Sequence, residues 1–185
     1  PHVSSFMCFT LGTNIVPNIL FFQLGFKVLR VLDIFFLHFD YFPARILQLI
    51  HLRYLALSAT YELPASVSQL RNLQTLVIHG PWHCRESGSS PTLLLEFWSM
   101  PSLRHLQYSV TIYLKNPPGA NSELPQLFVS KNLQNLSTIK ISCCTKEVFS
   151  VIPHLKKLEI CETEEDRGRC GTFVLLGHLQ SDRTS

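Results

Sequence analysis

Apolar residues recur along this chain in one frame, apolar-x-x-apolar-x-x-apolar-x-apolar. It fits Phe26, Leu29, Leu32 and Ile34, then Leu49, Leu52, Leu55 and Leu57, then Leu70, Leu73, Leu76 and Ile78. It fits again at Met100, Leu103, Leu106 and Tyr108, at Leu133, Leu136, Ile139 and Ile141, and at Ile152, Leu155, Leu158 and Ile160. A shortened version at Val3, Phe6 and Cys8 reads as a partial first unit. The last two framed residues alternate with a neighbour between them, as in Leu55-Ala56-Leu57, and that period of two points them inward from a short strand. The two earlier framed residues fall in the turn that leads into the strand and cap the core from the side. A single unit leaves its apolar edge open, so units must stack and their strands must run side by side as a parallel sheet.

The second framed residues (Leu29, Leu52, Leu73, Leu103, Leu136 and Leu155) give steps of about 23 and 21 residues, then about 30 and 33, then about 19. The first two steps lie within the roughly 20–29 residues of a leucine-rich repeat. The longer ones coincide with stretches of loop composition. One is Pro81 to Thr92, with Gly88, Ser89, Ser90 and Pro91; the other is Lys115 to Glu123, with Pro117, Pro118 and Gly119. Phe42-Pro43 with Ile46, and Leu63-Pro64 with Val67, predict a short turn or a single helical turn on the opposite side, since proline fits there and breaks anything longer. The predicted fold is therefore an α/β leucine-rich repeat solenoid. A curved parallel β-sheet lines its concave side, and irregular loops and short helical turns form the convex side. Six to seven irregular units are expected over residues 1–162; residues 163–185 match poorly and are expected to be a disordered or truncated C-terminal tail.

Composition narrows the class. The 185 residues are 46% hydrophobic and 16% charged, so the chain can bury a substantial core but is poor in charge for a soluble domain. A net charge of +3 and a pI near 8.6 are mild, and no nucleic-acid partner is expected. The apolar run from Phe6 to Phe26 contains Asn14, Pro17, Asn18 and Gln23, which are costly at a bilayer centre, so it is read as core and no membrane span is expected. Cys8, Cys84, Cys143, Cys144, Cys161 and Cys170 contain no C-x-x-C, and they fit reduced thiols in a cytoplasmic protein better than a disulfide framework. The sequon Asn135-Leu136-Ser137 places its central residue on a framed position, which weakens it as a sign of secretion.

Several segments then carry a resemblance. Leu29-Arg-Val-Leu-Asp-Ile34, Leu49-Ile-His-Leu-Arg-Tyr-Leu-Ala-Leu57, Leu63-Pro-Ala-Ser-Val67 and Leu70-Arg-Asn-Leu-Gln-Thr-Leu76 resemble the repeats of coiled-coil-type plant nucleotide-binding leucine-rich-repeat disease resistance proteins. Met100-Pro-Ser-Leu-Arg-His-Leu106 and Ile152-Pro-His-Leu-Lys-Lys-Leu158 are similar to the solanaceous late blight resistance branch. In such repeats a small polar group follows the last framed residue by three positions and bonds the backbone as the chain leaves the sheet. Thr60, Thr111, Cys144 and Thr163 stand there. The resemblance implies a protein-interaction module of an intracellular immune receptor. Its implied partners are the receptor's own nucleotide-binding module, which it restrains, and a pathogen effector or host guard protein. The sequence begins at Pro1 and carries no G-x-x-x-x-G-K-[ST] loop, so it is read as a piece of such a receptor that binds no nucleotide.

Outward-facing strand positions of a solenoid line its concave face, the usual binding surface. One column, directly after the second framed residue, is Arg30, Arg53, Gln74, Arg104, Ser137 and Lys156. Another, between the last two framed residues, is Asp33, Ala56, Val77, Gln107, Lys140 and Glu159, with Tyr54 and His105 beside the first column. The protein-binding residues expected from these columns are Arg30, Arg53, Tyr54, Gln74, Arg104, His105, Gln107, Lys140, Lys156 and Glu159. The run Phe35, Phe36, Phe39, Tyr41 and Phe42 reads more readily as core than as a contact patch. Trp82 sits in an insertion and reads as exposed.

No catalytic residue, cofactor or metal is expected. His79, His83 and Cys84 lack the second ligand pair of a closed zinc site, and Glu162, Glu164, Glu165 and Asp166 form a run of like charge that reads as solvated. Two alternatives share the fold: the substrate-recruiting repeat of a ubiquitin ligase, and a fragment of an extracellular receptor.

Overall fold

The computed structural model describes residues 3–8, 28–39, 42–59, 63–79, 92–93, 97–98, 100–109, 112–114 and 129–161. Among them, seven strands form one parallel sheet in the order β1 (Ser5–Met7), β2 (Val31–Phe39), β3 (Tyr54–Ala59), β4 (Thr75–His79), β6 (His105–Tyr108), β8 (Asn135–Lys140) and β9 (Lys157–Cys161). A second, two-stranded parallel sheet pairs β5 (Thr92–Leu93) with β7 (Tyr113–Leu114). Each main strand neighbours the next one in the chain, as stacked repeats require. The partial first unit is real, since Phe6 stands in register with Leu32.

The register shows why the frame works. Leu32, Leu55, Leu76, Leu106, Leu136 and Leu158 occupy one row across the sheet, and all are buried. Ile34, Leu57 and Ile78 form the next inward row. Behind them the turn residues Leu29, Leu52, Leu73, Leu103 and Leu133 close the side of the same core. On the convex side, 3-10 turns at Ala44–Gln48 and Ala65–Gln69 each start after a proline and bury Ile46 and Val67. Pro43 and Pro64 hold φ at −71° and −70° with extended ψ, the backbone a proline sets most easily, so the single helical turn expected there is present. The last described unit replaces that turn by a 3-10 turn at Ile141–Cys143 and a short helix α1 (Lys146–Ser150), capped by Thr145 Oγ1 accepting from the Val148 amide at 3.3 Å.

One unit of the frame needs correction. Leu136 pairs with Leu106 and with Leu158, so it holds the third framed position, and Leu133 holds the second. The steps around it become about 30 and about 22 residues, more even than the sequence suggested. The physical cause is a shift of register between Leu136 and Ile139, where β8 carries one residue more than β9. In that bulge Ser137 is buried, and its Oγ accepts the Tyr108 amide at 2.7 Å, taking a place the backbone ladder leaves vacant. Ile141, framed as an inward residue, is instead 51% exposed.

Side chains also tie unit to unit. Asn72 Nδ2 donates to the Ile50 carbonyl at 2.8 Å and Asn132 Nδ2 to the Pro101 carbonyl at 2.6 Å, each reaching the turn of the preceding unit. The small polar position was expected at Thr60, Thr111, Cys144 and Thr163. Thr60, Thr111 and Thr163 lie outside the described residues. In the remaining unit the inter-unit bond belongs to Cys143, whose buried Sγ accepts the Leu114 amide at 3.4 Å, whereas Cys144 Sγ turns to the nearby Lys140 carbonyl at 4.0 Å. Cys8, Cys143 and Cys144 are free thiols. Among the described residues no helix is long and apolar enough to cross a membrane.

Candidate concave interaction face

Inward rows of leucine oblige the alternate residues to face the other side of the sheet. The first outward row is Val31, Tyr54, Thr75, His105, Asn135 and Lys157, directly before the inward leucines. The second is Asp33, Ala56, Val77, Gln107 and Glu159. Between them, from β3 to β9, lies an open depression of about 300 Å³. Tyr54, Thr75, His105, Gln107, Asn135 and Lys157 are among its walls. Its chemistry is mixed, offering a phenol, two amides, an imidazole and hydroxyls. At its far end Lys157 Nζ and Glu159 Oε1 pair at 2.8 Å, both partly solvated, so that pair contributes little to folding.

The expected site residues divide by position. Tyr54, His105, Gln107 and Glu159 stand in the walls of the depression. Arg30, Arg53, Gln74, Arg104 and Lys156 do not lie in strands; they form a rim where each strand begins. The cause is backbone geometry. The Arg30 carbonyl accepts the amides of Arg53 and Tyr54 at 2.7 and 3.0 Å, and the carbonyls of Arg53, Gln74 and Arg104 each receive two amides from the next unit in the same way. With the backbone so engaged, the arginine side chains and Lys156 project into solvent, while Gln74 is half-buried. Lys140 is not a member of the Gln107–Glu159 column. It pairs with Cys161, two positions further along the strand, because the β8 bulge displaces it. Ser137 likewise leaves the rim column, whose place in that unit is taken by Gln134.

Thr75, Asn135 and Lys157 were not singled out from the sequence, although they share a row with Tyr54 and His105. The signal was the frame itself: each directly precedes the third framed residue. In the β8 unit the bulge conceals that position in the sequence pattern, and Thr75 and Lys157 stand directly beside the rim column.

At the N-terminal end the face changes character. Asp33 organises it. Its Oδ1 accepts the Phe35 amide at 3.1 Å, and the Tyr54 hydroxyl donates to its carboxylate. Partial burial, and then the charge and hydrogen bond of Asp33, push the Tyr54 phenol above its ordinary value. The Phe35 ring meets His79 edge-on at 4.8 Å and Phe36 at 5.5 Å. The aromatic run is therefore split. Phe39 is buried and Phe42 packs against the core as expected, but Phe35 and Phe36 lie on the surface side, with Phe36 45% exposed. Tyr41 and Trp82 lie outside the described residues, as do His83, Cys84 and the acidic run from Glu162. Among the described residues no group of three or more His, Cys, Asp or Glu side chains comes together.

A parallel ladder of inward leucines beneath a polar concave face defines a leucine-rich repeat protein, and the chain belongs to the leucine-rich repeat region family, which matches it over residues 2–174. It is similar to late blight resistance protein R1-A of Solanum demissum, 32% identical over 168 residues that cover 88% of this chain and 11% of that protein. It is also similar to the putative late blight resistance protein homolog R1B-14 of the same species, 33% identical over 147 residues covering 76% of this chain and 10% of that protein. The chain thus spans about a tenth of the length of these relatives. Among solved structures, a leucine-rich repeat protein of Leptospira interrogans is 21% identical and covers 74% of this chain and 43% of that one, with a TM-score of 0.35.

Proposed function

We propose that this chain is a non-catalytic protein-interaction module of a plant intracellular disease resistance receptor, and that it docks proteins on its concave face. The observation that carries this reading is the outward surface from Tyr54 to Glu159. Side chains from β3, β4, β6, β8 and β9 are held side by side on a rigid sheet, with hydrogen-bonding groups facing one open depression. A depression of about 300 Å³ is at the small end for a metabolite pocket and is unenclosed, which suits a partner's protruding side chains better than a sequestered substrate. The similarity to late blight resistance proteins supports a role in defence: restraining the receptor's nucleotide-binding module and contributing to recognition of a pathogen effector or host guard protein. A cytoplasmic location follows from that role.

The test is retention of the nucleotide-binding module of a late blight resistance protein, co-expressed in leaf tissue, by the full chain. Replacing His105, Gln107 and Lys157 together by alanine is expected to reduce retention at least about tenfold, since contacts at the centre of an interface dominate binding. Replacing the convex residues Gln48 and Gln69 by alanine is expected to leave it unchanged. Equal retention by both variants would overturn the docking face.

A further inference from the structure

We propose that the cluster of Asp33, Phe35, Phe36 and His79 is a preformed receptor for an arginine side chain of a protein partner. The inference deepens the reading of the concave face as a docking surface and rests on it.

The cluster exists because β2 departs from the ladder. Its pairing with β3 is regular from Val31 to Ile34 and resumes at His38 opposite Ser58, so Phe35, Phe36 and Leu37 have no counterpart on β3. Leu37 turns inward and is buried, which leaves Phe36 45% exposed and Phe35 half-buried. Phe35, on β2, touches His79, on β4, and the contact therefore crosses β3. Beneath it the outward positions of β3 carry the small residues Ala56 and Ser58, only 1% and 3% exposed. A bulge of this kind gives up ladder hydrogen bonds, and bulges are concentrated where a strand re-aims side chains for function.

The chemistry of the cluster selects the occupant. Aromatic faces attract cations, and a carboxylate lies in the same group, two residues from Phe35 on the same face of β2. Asp33 uses part of its hydrogen-bonding capacity on the Phe35 amide and the Tyr54 hydroxyl, which fixes its orientation and leaves acceptor sites over. A purely apolar occupant would cover the remaining acceptor sites of that carboxylate without supplying a donor, which is costly. An ammonium is compact and strongly hydrated. A guanidinium is planar, weakly hydrated, stacks on rings and pairs with carboxylates, so its chemistry suits both the rings and the carboxylate of the cluster.

The probe is N-acetyl-arginine amide, titrated into the full chain and followed by NMR of the phenylalanine and histidine rings, with the uncharged citrulline analogue as comparison. Arginine amide is expected to shift Phe35, Phe36 and His79 saturably and to bind about tenfold more tightly than the citrulline analogue, the margin of one charge-assisted hydrogen bond. Asp33→Asn is expected to abolish that preference. Because Asp33 also orients its neighbours, Phe36→Ala, at an exposed side chain, is the second variant: it should weaken arginine binding while the Leu55 and Leu76 methyl signals stay in place. Equal binding of arginine and citrulline, or unchanged arginine binding by Phe36→Ala, overturns the proposal. The alanine triple at His105, Gln107 and Lys157 should leave arginine binding intact, so failure here and failure of the wider docking face are separable.

Discussion

Tyr54 shows how much one outward residue takes from its surroundings. It stands in the wall of the depression, partly buried, and its hydroxyl interacts with Asp33 on the neighbouring strand. Both the burial and the carboxylate favour the protonated phenol, so the folded chain holds that proton more tightly than the unfolded one. The resulting stabilisation is fully present below the ordinary tyrosine value of about 10 and is lost as pH rises through the higher folded value. Asp33→Asn should lower the Tyr54 transition part of the way, leaving the larger effect of burial. A spectrophotometric tyrosinate titration of the wild type, Asp33→Asn and Tyr54→Phe checks this. Tyr54 ionising together with exposed tyrosines would remove the interaction with Asp33 from the account. None of this was readable from the sequence, because the contact joins residues of two strands whose register was needed first.

Among elements, the strands were the most legible part, and the reason is physical. A residue flanked by two inward neighbours has one direction left to it, so Leu55-Ala56-Leu57 defines both a strand and its faces. The 3-10 turns were legible for the same kind of reason, since Pro43 and Pro64 leave their backbones few choices. β8 was misframed because Ile139-Lys140-Ile141 alternates as convincingly as Leu136-Ser137-Thr138-Ile139 does not, and only the Tyr108–Ser137 bond reveals that the ladder is kept by a side chain. The aromatic bulge in β2 was similarly invisible, as Phe35 and Phe36 read as core until the missing β3 counterparts placed them outside. The inward rows make a quantitative prediction. Leu55→Ala or Leu76→Ala should each destabilise the chain by about 2–5 kcal/mol through a core cavity, while Arg53→Ala, at the solvated rim, should cost less than about 0.5 kcal/mol. Denaturant titration of the three variants measures it, and similar small losses for all three would contradict the assignment of faces.

For the molecule as a whole, the candidate site was only partly foreseen. Of the residues expected from the sequence, Tyr54, His105, Gln107 and Glu159 stand in the walls of the depression, whereas the charged ones favoured by the pattern, Arg30, Arg53, Arg104 and Lys156, form the rim. The sheet explains why the two differ. Rim backbones are tied to the preceding unit, which sends Arg30, Arg53 and Arg104 outward, whereas the first outward row lies across the strands and shares one surface. Adjacent units thereby bring residues some 20–30 positions apart side by side on one surface, as the proposed docking role requires. The most direct measurement is a set of methyl–methyl contacts by NMR in leucine-labelled chain. The register predicts an unbroken series from Leu32 through Leu55, Leu76, Leu106 and Leu136 to Leu158. Contacts that skip a member, or that join Leu106 to Ile139 in place of Leu136, would contradict it and with it the concave face.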